Sequence, residues 1–395
     1  MSSFISGLTN KRLLVSVFLL FLAGIVFGAE INIIPPHFTG NNPDETREIN
    51  NEVEDYFINF RRSLRNDLDF LPDSINKLAG AFANTSVFSS DGASQRGYEG
   101  YKAFSFTVGA MGALQFPKNF PILDEIKNAG NSDEGEMGFD FIKDNMDIGL
   151  GFDIQALNAQ LGINTSKFLL KGLYLGFKLS MYDTNRIKIL PLPGFSFKTM
   201  SVGINVSYQL ISQKRSLLGL LVWRGLNLGT GFIWQNTSLG LTLAPPIEEN
   251  LKYVAIPISG VGEVSMPLNP VIYMNFDTTT YIVPVEAMTS MRLLGFLNVA
   301  FGAGFDIAFG RSVIKTSGSF NVDESDIRGL PQGVRMDEPP KLELRLPGKS
   351  SPSLLNLKAM GAVGFNIGPF IIDIPVTYYL RANGYSAGLT LGFTL

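Results

Sequence analysis

Over most of the chain, apolar and polar residues alternate one by one. In 104–116 one phase reads Phe104, Phe106, Val108, Ala110, Gly112, Leu114, Phe116, and the other reads Ser105, Thr107, Gly109, Met111, Ala113, Gln115. The same split recurs at 146–156, 173–181, 200–210, 283–293, 297–309, 355–367, 370–380 and 385–395. A period of two is the signature of a strand with unlike faces. Segments near 9–11 residues long match what a tilted strand needs to cross a bilayer. Weaker stretches follow at 221–235, 238–244, 251–265, 271–280 and 313–322, with 221–244 also readable as one long strand and 340–346 as a hairpin in a loop. The pattern predicts an all-β chain: an antiparallel transmembrane β-barrel over 102–395, with about 14 strands, or about 12 as the next even count.

The charges decide which environment each phase meets. Asp147, Asp153, Lys178, Glu286, Arg292, Asp306, Lys358, Asp373 and Arg381 all fall on the polar phase. That phase is otherwise rich in small residues such as Gly149, Gly151, Gly302 and Gly304, which suit a crowded lumen. Phe152, Phe177, Phe301, Phe305 and Tyr378 lie on the other phase, which suits lipid and its interfaces. A soluble sandwich would carry many more charges on its wet faces than the 17% found in the whole chain. The strand at Gly384–Leu395, with Phe393 on the lipid phase, is similar to the terminal strand that the outer-membrane barrel assembly machinery recognises.

The period differs before residue 103. Lys11 and Arg12 precede the apolar run Leu13 to Phe27, and Gly28-Ala29 follow, so 1–29 reads as a secretory signal peptide. A membrane anchor is the alternative, but the run is shorter than the roughly 20 residues that span a bilayer. Its removal takes away Lys11 and Arg12 and moves the net charge from -3 to -5. The segment 30–101 is expected to be a periplasmic helix and a hatch or plug. Asn42, Pro43 and Glu45 form a helix start, and Ile49, Val53, Phe57, Phe60, Leu64, Leu68 and Leu71 then recur at helical spacing. Arg61, Arg62 and Arg65 decorate the opposite side, so the stripe either packs on the protein or meets a partner. Asp73 starts a second short helix through Phe82, followed by small polar chain to Tyr101.

One local motif adds a resemblance. Phe88-Ser89-Ser90-Asp91-Gly92, then Arg96-Gly97-Tyr98-Glu99-Gly100, resembles the F-S-S-x-G and R-small-Y-x-G runs of the hatch in the long-chain fatty-acid transporter family of outer membranes, the FadL-type proteins. That resemblance implies passive uptake of fatty acids or other hydrophobic small molecules by a monomer in the outer membrane of a diderm bacterium, its outer surface in contact with membrane lipid. The pocket would need an apolar lining and a cation for a carboxylate head. Lys178, Arg292, Lys358 and Arg381 on the lumen phase, and Arg96 in the plug, are the candidate cations; pairing with lumen acids is their other reading. Phe82, Phe88 and Met111 either line such a pocket or simply pack plug against wall.

Composition narrows the chemistry. With no Cys there are no disulfides, thiolate metal sites or thiol nucleophiles, and the only His, His37, stands in a Pro-rich linker without a motif. Gly348-Lys349-Ser350 mimics the end of a phosphate loop, but Glu343 stands where its first Gly must be. Asp323, Glu324 and Asp326 do not match a calcium loop. The expectation is no enzyme, no catalytic residues, no cofactor and no metal, and the charge pattern gives no footprint for nucleic acid. The rival to uptake is a general porin, or a structural or adhesive barrel whose long loops, above all 311–353, face a host.

Overall fold

The computed structural model describes residues 30–67, 71–90, 103–116, 151–165, 170–184, 195–216, 220–243, 253–258, 262–267, 270–320, 322, 327–345 and 348–395. The expected signal peptide, Arg61, Arg62 and Arg65 as side chains, Arg96 and Asp147 lie outside what is described.

Two short strands, β1 (Glu30–Ile34) and β2 (His37–Gly40), lead into helices α1 (Pro43–Asp67) and α2 (Leu71–Ser89). Then come β3 (Phe104–Gln115), β4 (Gly151–Asn164), β5 (Leu173–Asp183), β6 (Phe195–Ile211), β7 (Lys214–Ser216), β8 (Leu221–Leu243), β9 (Tyr253–Ile258) and β10 (Gly262–Pro267). The remainder is β11 (Pro270–Leu293), β12 (Leu297–Phe320), β13 (Val334–Glu338), β14 (Lys341–Arg345), β15 (Gly348–Ser350), β16 (Leu355–Ile367), β17 (Phe370–Tyr379) and β18 (Gly384–Thr394).

Ten strands close into an antiparallel barrel in the order β3, β4, β5, β6, β8, β11, β12, β16, β17, β18, with β18 pairing back to β3. At the seam, Phe104 and Leu395 exchange both backbone hydrogen bonds, at 3.1 and 2.9 Å. The expected fourteen strands are thus corrected to ten. The stretches 221–235 and 238–244 are one strand, as are 271–280 with 283–293 and 297–309 with 313–322, while 251–265 is the separate β9–β10 hairpin. The linker before α1 is also corrected: it holds β1 and β2, which pair with β14 and β13.

The long strands looked broken because their outer faces change chemistry halfway. On β12 the outward residues are Leu297, Val299, Phe301, Ala303, Phe305, Ile307 and Phe309, then Arg311, Val313, Lys315 and Ser317. On β11 they become polar above Tyr281, at Thr279, Asp277 and Asn275, and on β8 above Trp234, at Asn236 and Ser238. Trp234, Tyr281 and Phe309 are direct neighbours in register, and the Phe232 ring lies 6.4 Å from that of Tyr281. An apolar band topped by aromatics is the outer face of a barrel in a bilayer. Around the ring, Phe106, Phe177, Ile204, Phe301, Ile374 and Leu391 are exposed on it. Beyond the aromatics, β8, β11 and β12 continue outward, and polar pairs such as Ser238 with Asp277 (2.8 Å) take over their surface.

The two barrel ends differ. One end holds the seam, the turn Leu294–Phe296 between β11 and β12, the turn at 368–369 between β16 and β17, and the connection 165–172. At the other end lie the strand ends that the long stretches 116–150, 244–269 and 321–354 join. The β1–β14 and β2–β13 pairs, the β9–β10 hairpin and α1 all sit at this second end, with α1 against β1, β2 and β9. Asn42 caps α1 through its side-chain oxygen, which accepts from the Asp44 amide at 3.2 Å. Ile49, Val53 and Phe57 of its stripe are buried. Asn50 clamps Phe38 from both sides, accepting from its N–H at 2.8 Å and donating to its carbonyl at 2.9 Å.

Candidate functional site

Inside the barrel lies α2. The expected second helix ends at Phe82, but the observed one continues to Ser89, through Asn84, Thr85 and Ser86. These residues favour caps and turns over helix interiors because their side chains compete for backbone groups. Here that competition is absorbed locally. Thr85 Oγ1 donates to the Ala81 carbonyl (3.1 Å) and Ser90 Oγ to that of Val87 (2.6 Å). Burial in the lumen then keeps the helix formed, since the side chains from Ala81 to Ser90 are all buried.

The wall meets α2 with matched chemistry on each side. Phe88 stacks on Tyr379, with centroids 3.9 Å apart and planes 20° from parallel, and together with Val87 joins a buried cluster of Ala113, Ile233, Ile282 and Ala308. Phe82 meets Phe276 at 4.5 Å and Phe152 at 5.3 Å. Phe152 is therefore not the purely lipid-facing residue that its phase suggested. Close approach needs glycine: a Cβ on Gly151 would stand 2.4 Å from the Ala81 carbonyl oxygen, and one on Gly384 2.3 Å from the Phe88 ring.

The polar side centres on Asp153. Its buried carboxylate accepts from Ser89 Oγ (2.9 Å), Gln235 Nε2 (2.7 Å), Thr237 Oγ1 (3.2 Å) and the Ile154 amide (2.7 Å). Ser86 and Thr280 share a hydrogen bond at 3.0 Å. The Lys178 ammonium donates to the Ser90 carbonyl, just past the last helical residue. A helix C-terminus presents unsatisfied carbonyls and a partial negative charge, so a cation there satisfies both.

The sequence-chosen cations separate. Lys178 and Lys358 face the lumen and are buried. Lys358 lies 2.5 Å from Glu286 and 2.9 Å from Asp306. Gly304 stands between Lys358 and Glu286 in the register, and its missing side chain leaves the lysine room to cross a whole strand. Lys358 thus takes the pairing role, while Lys178 is engaged by the carbonyl at the end of α2. Arg292 is half-buried opposite Asn298, with its buried Nε lacking a hydrogen bond among the described residues. Arg381 is exposed in the turn after Tyr379. Met111 faces inward from β3 and is buried. Asp153, Gln235, Thr280 and Tyr379 hold α2; the sequence put Asp153 on the polar phase, but nothing local marked any of the four as helix contacts.

A family model described as Lsa36-like matches residues 28–395. No curated protein matches by sequence. Among solved structures, the chain is similar to the translocator domain of the autotransporter NalP from Neisseria meningitidis, at 8% identity and TM-score 0.28, covering 78% of this chain and 92% of that one. It is similar to the transport unit of the autotransporter AIDA-I from Escherichia coli, at 10% identity and TM-score 0.28, covering 81% and 99%. It is also similar to the outer membrane protein Omp33 of Acinetobacter baumannii, at 10% identity and TM-score 0.23, covering 74% and 98%.

Proposed function

The chain belongs to the Lsa36-like family, and we propose that it is an outer-membrane β-barrel whose lumen is shut by its own helix and whose work is done at its elaborated outer end, as a binding scaffold. The observation that carries this reading is the seating of α2. Phe88 and Val87 are buried among the wall residues Ala113, Ile233, Ile282, Ala308 and Tyr379, while Asp153, Thr280 and Lys178 hold the polar groups. Burying a large apolar side chain is worth roughly 1.5–3 kcal/mol, so withdrawing the helix costs several such terms at once. A helix held so firmly suits a strut better than a gate. Meanwhile β8, β11 and β12 rise past the aromatic belt and carry strands of their own, a large structure to keep outside a membrane merely to line a pore.

The test is conductance of the full-length protein in a planar bilayer. A closed membrane after verified insertion supports the scaffold, and a steady open-channel current overturns it.

Uptake of fatty acids or other hydrophobic small molecules is the second reading. The motif beginning at Phe88-Ser89-Ser90 favours it, and so does an apolar patch of Met288, Ala300, Met360 and Ala362 on the lumen wall. Saturable binding of a fluorescent long-chain fatty acid to the folded barrel, displaced by unlabelled fatty acid, would carry that reading.

A further inference from the structure

Along α2 the contacts move steadily in one direction. Asn76 accepts from the Lys349 amide (2.9 Å), Phe82 meets Phe276, Asn84 accepts from the Ser353 amide (2.7 Å), Ser86 meets Thr280, and Val87 shares a buried cluster with Ile282. On β11, which runs from the long-loop end to the tight-turn end, this is a descent from Phe276 through Thr280 to Ile282. The helix therefore enters the barrel at the long-loop end and points toward the seam end, where β3 begins at Phe104 beside Leu395. Upstream of it, β1, β2 and α1 are all built into the long-loop end.

The chain before α2 and the first barrel strand thus lie on opposite ends of the same barrel. We infer that the N-terminal segment crosses the membrane through the lumen, so that Glu30–Asp67 is displayed on the cell surface with the long loops. This reverses the expected periplasmic extension. It rests on the outer-membrane reading above, in which short turns face the periplasm and long connections face outward. The lumen is what permits such a crossing. No helix among the described residues is long and apolar enough to span lipid, but α2 meets hydrogen-bonding groups at Asp153, Thr280 and Lys178 along the way. Ser86, Ser89 and the Ser90 carbonyl would be costly in hydrocarbon and are satisfied here. The outer segment, in turn, is not a loose tail, because β1 and β2 complete the outer strands β14 and β13.

The chain contains no Cys, so single cysteines report cleanly. Glu54→Cys on α1, Asp337→Cys on β13 and Lys171→Cys in the connection between β4 and β5 all sit at exposed positions. Each variant, shown to be folded by heat-modifiable mobility, is treated in intact cells with a membrane-impermeant maleimide dye, and again after the outer membrane is opened. The expected result is equal labelling of Glu54→Cys and Asp337→Cys in intact cells, with loss of labelling at Lys171→Cys until the membrane is opened. Labelling of Asp337→Cys alone, with Glu54→Cys protected like Lys171→Cys, overturns the crossing. Labelling of Lys171→Cys alone overturns the surface display by reversing the barrel, yet leaves the closed-barrel reading standing. Protection of all three overturns the display and the outer-membrane reading together.

Discussion

Phe88 and Tyr379 lie face to face, 3.9 Å between centroids, and neither ring is reached by solvent. One belongs to a helix that precedes the barrel, the other to its second-last strand, so the contact joins two ends of the barrel-forming chain. Phe88→Ala should lower the unfolding midpoint by the equivalent of about 3–5 kcal/mol, the usual loss for a buried phenylalanine. A double-mutant cycle with Tyr379→Ala should return a coupling of about 0.5–1.5 kcal/mol for the ring pair itself. Denaturant unfolding of the detergent-folded protein checks both, and additivity of the two losses would remove the stack as a distinct contribution.

Gly151→Ala tests the close approach of wall and helix. The added methyl would meet the backbone oxygen of Ala81, which has no rotamer to change. The expected cost is about 1–3 kcal/mol, as for other overpacked sites. Raised proteolysis within α2 should accompany it, whereas Gly112→Ala, where a Cβ meets nothing within 4 Å, should leave the digestion pattern unchanged.

The group of Lys358, Glu286 and Asp306 makes a prediction about order of removal. Lys358→Met alone leaves two carboxylates side by side in the lumen, one of them buried, and should destabilise by about 3–5 kcal/mol. Adding Glu286→Gln and Asp306→Asn to it should recover most of that loss. Unfolding curves of the single and triple variants decide the matter. A triple variant less stable than Lys358→Met would show that the acids have other roles.

The position of the membrane edge can be probed by placing arginine along one strand. Phe301→Arg on β12 falls within the apolar band and should cost about 2–4 kcal/mol, while Ser317→Arg on the same strand lies past Phe309 and should cost about 0–1 kcal/mol. Refolding into lipid vesicles gives both values, and equal costs would move the edge assigned by Trp234, Tyr281 and Phe309.

Alternation made the barrel legible, because a lumen on one side and lipid on the other impose a strict period of two from Phe104 to Phe393. It misled at Thr279, Asn236 and Arg311 for a physical reason: there the outer face leaves lipid for water, the apolar phase stops and the strand does not. The helix start at Asn42 and the stripe of Ile49, Val53 and Phe57 were equally plain. The second half of α2 was not, since Asn84, Thr85 and Ser86 have weak helix propensity and are helical only because the lumen encloses them. Charges on the inward phase were visible in the sequence, but their pairing was not. Lys358 reaches Glu286 only across Gly304, and no local pattern encodes a neighbour two strands away.

Ring closure has a consequence for the order in which this protein can be made. The first and last strands meet at Phe104 and Leu395, and α2 is already enclosed by β3, β4, β8, β11, β12 and β18 when they do. The helix cannot be inserted afterwards with the domain at its upstream end folded. On the crossing inferred above, biogenesis presents a nascent hoop with its guest inside and joins β3 to β18 last.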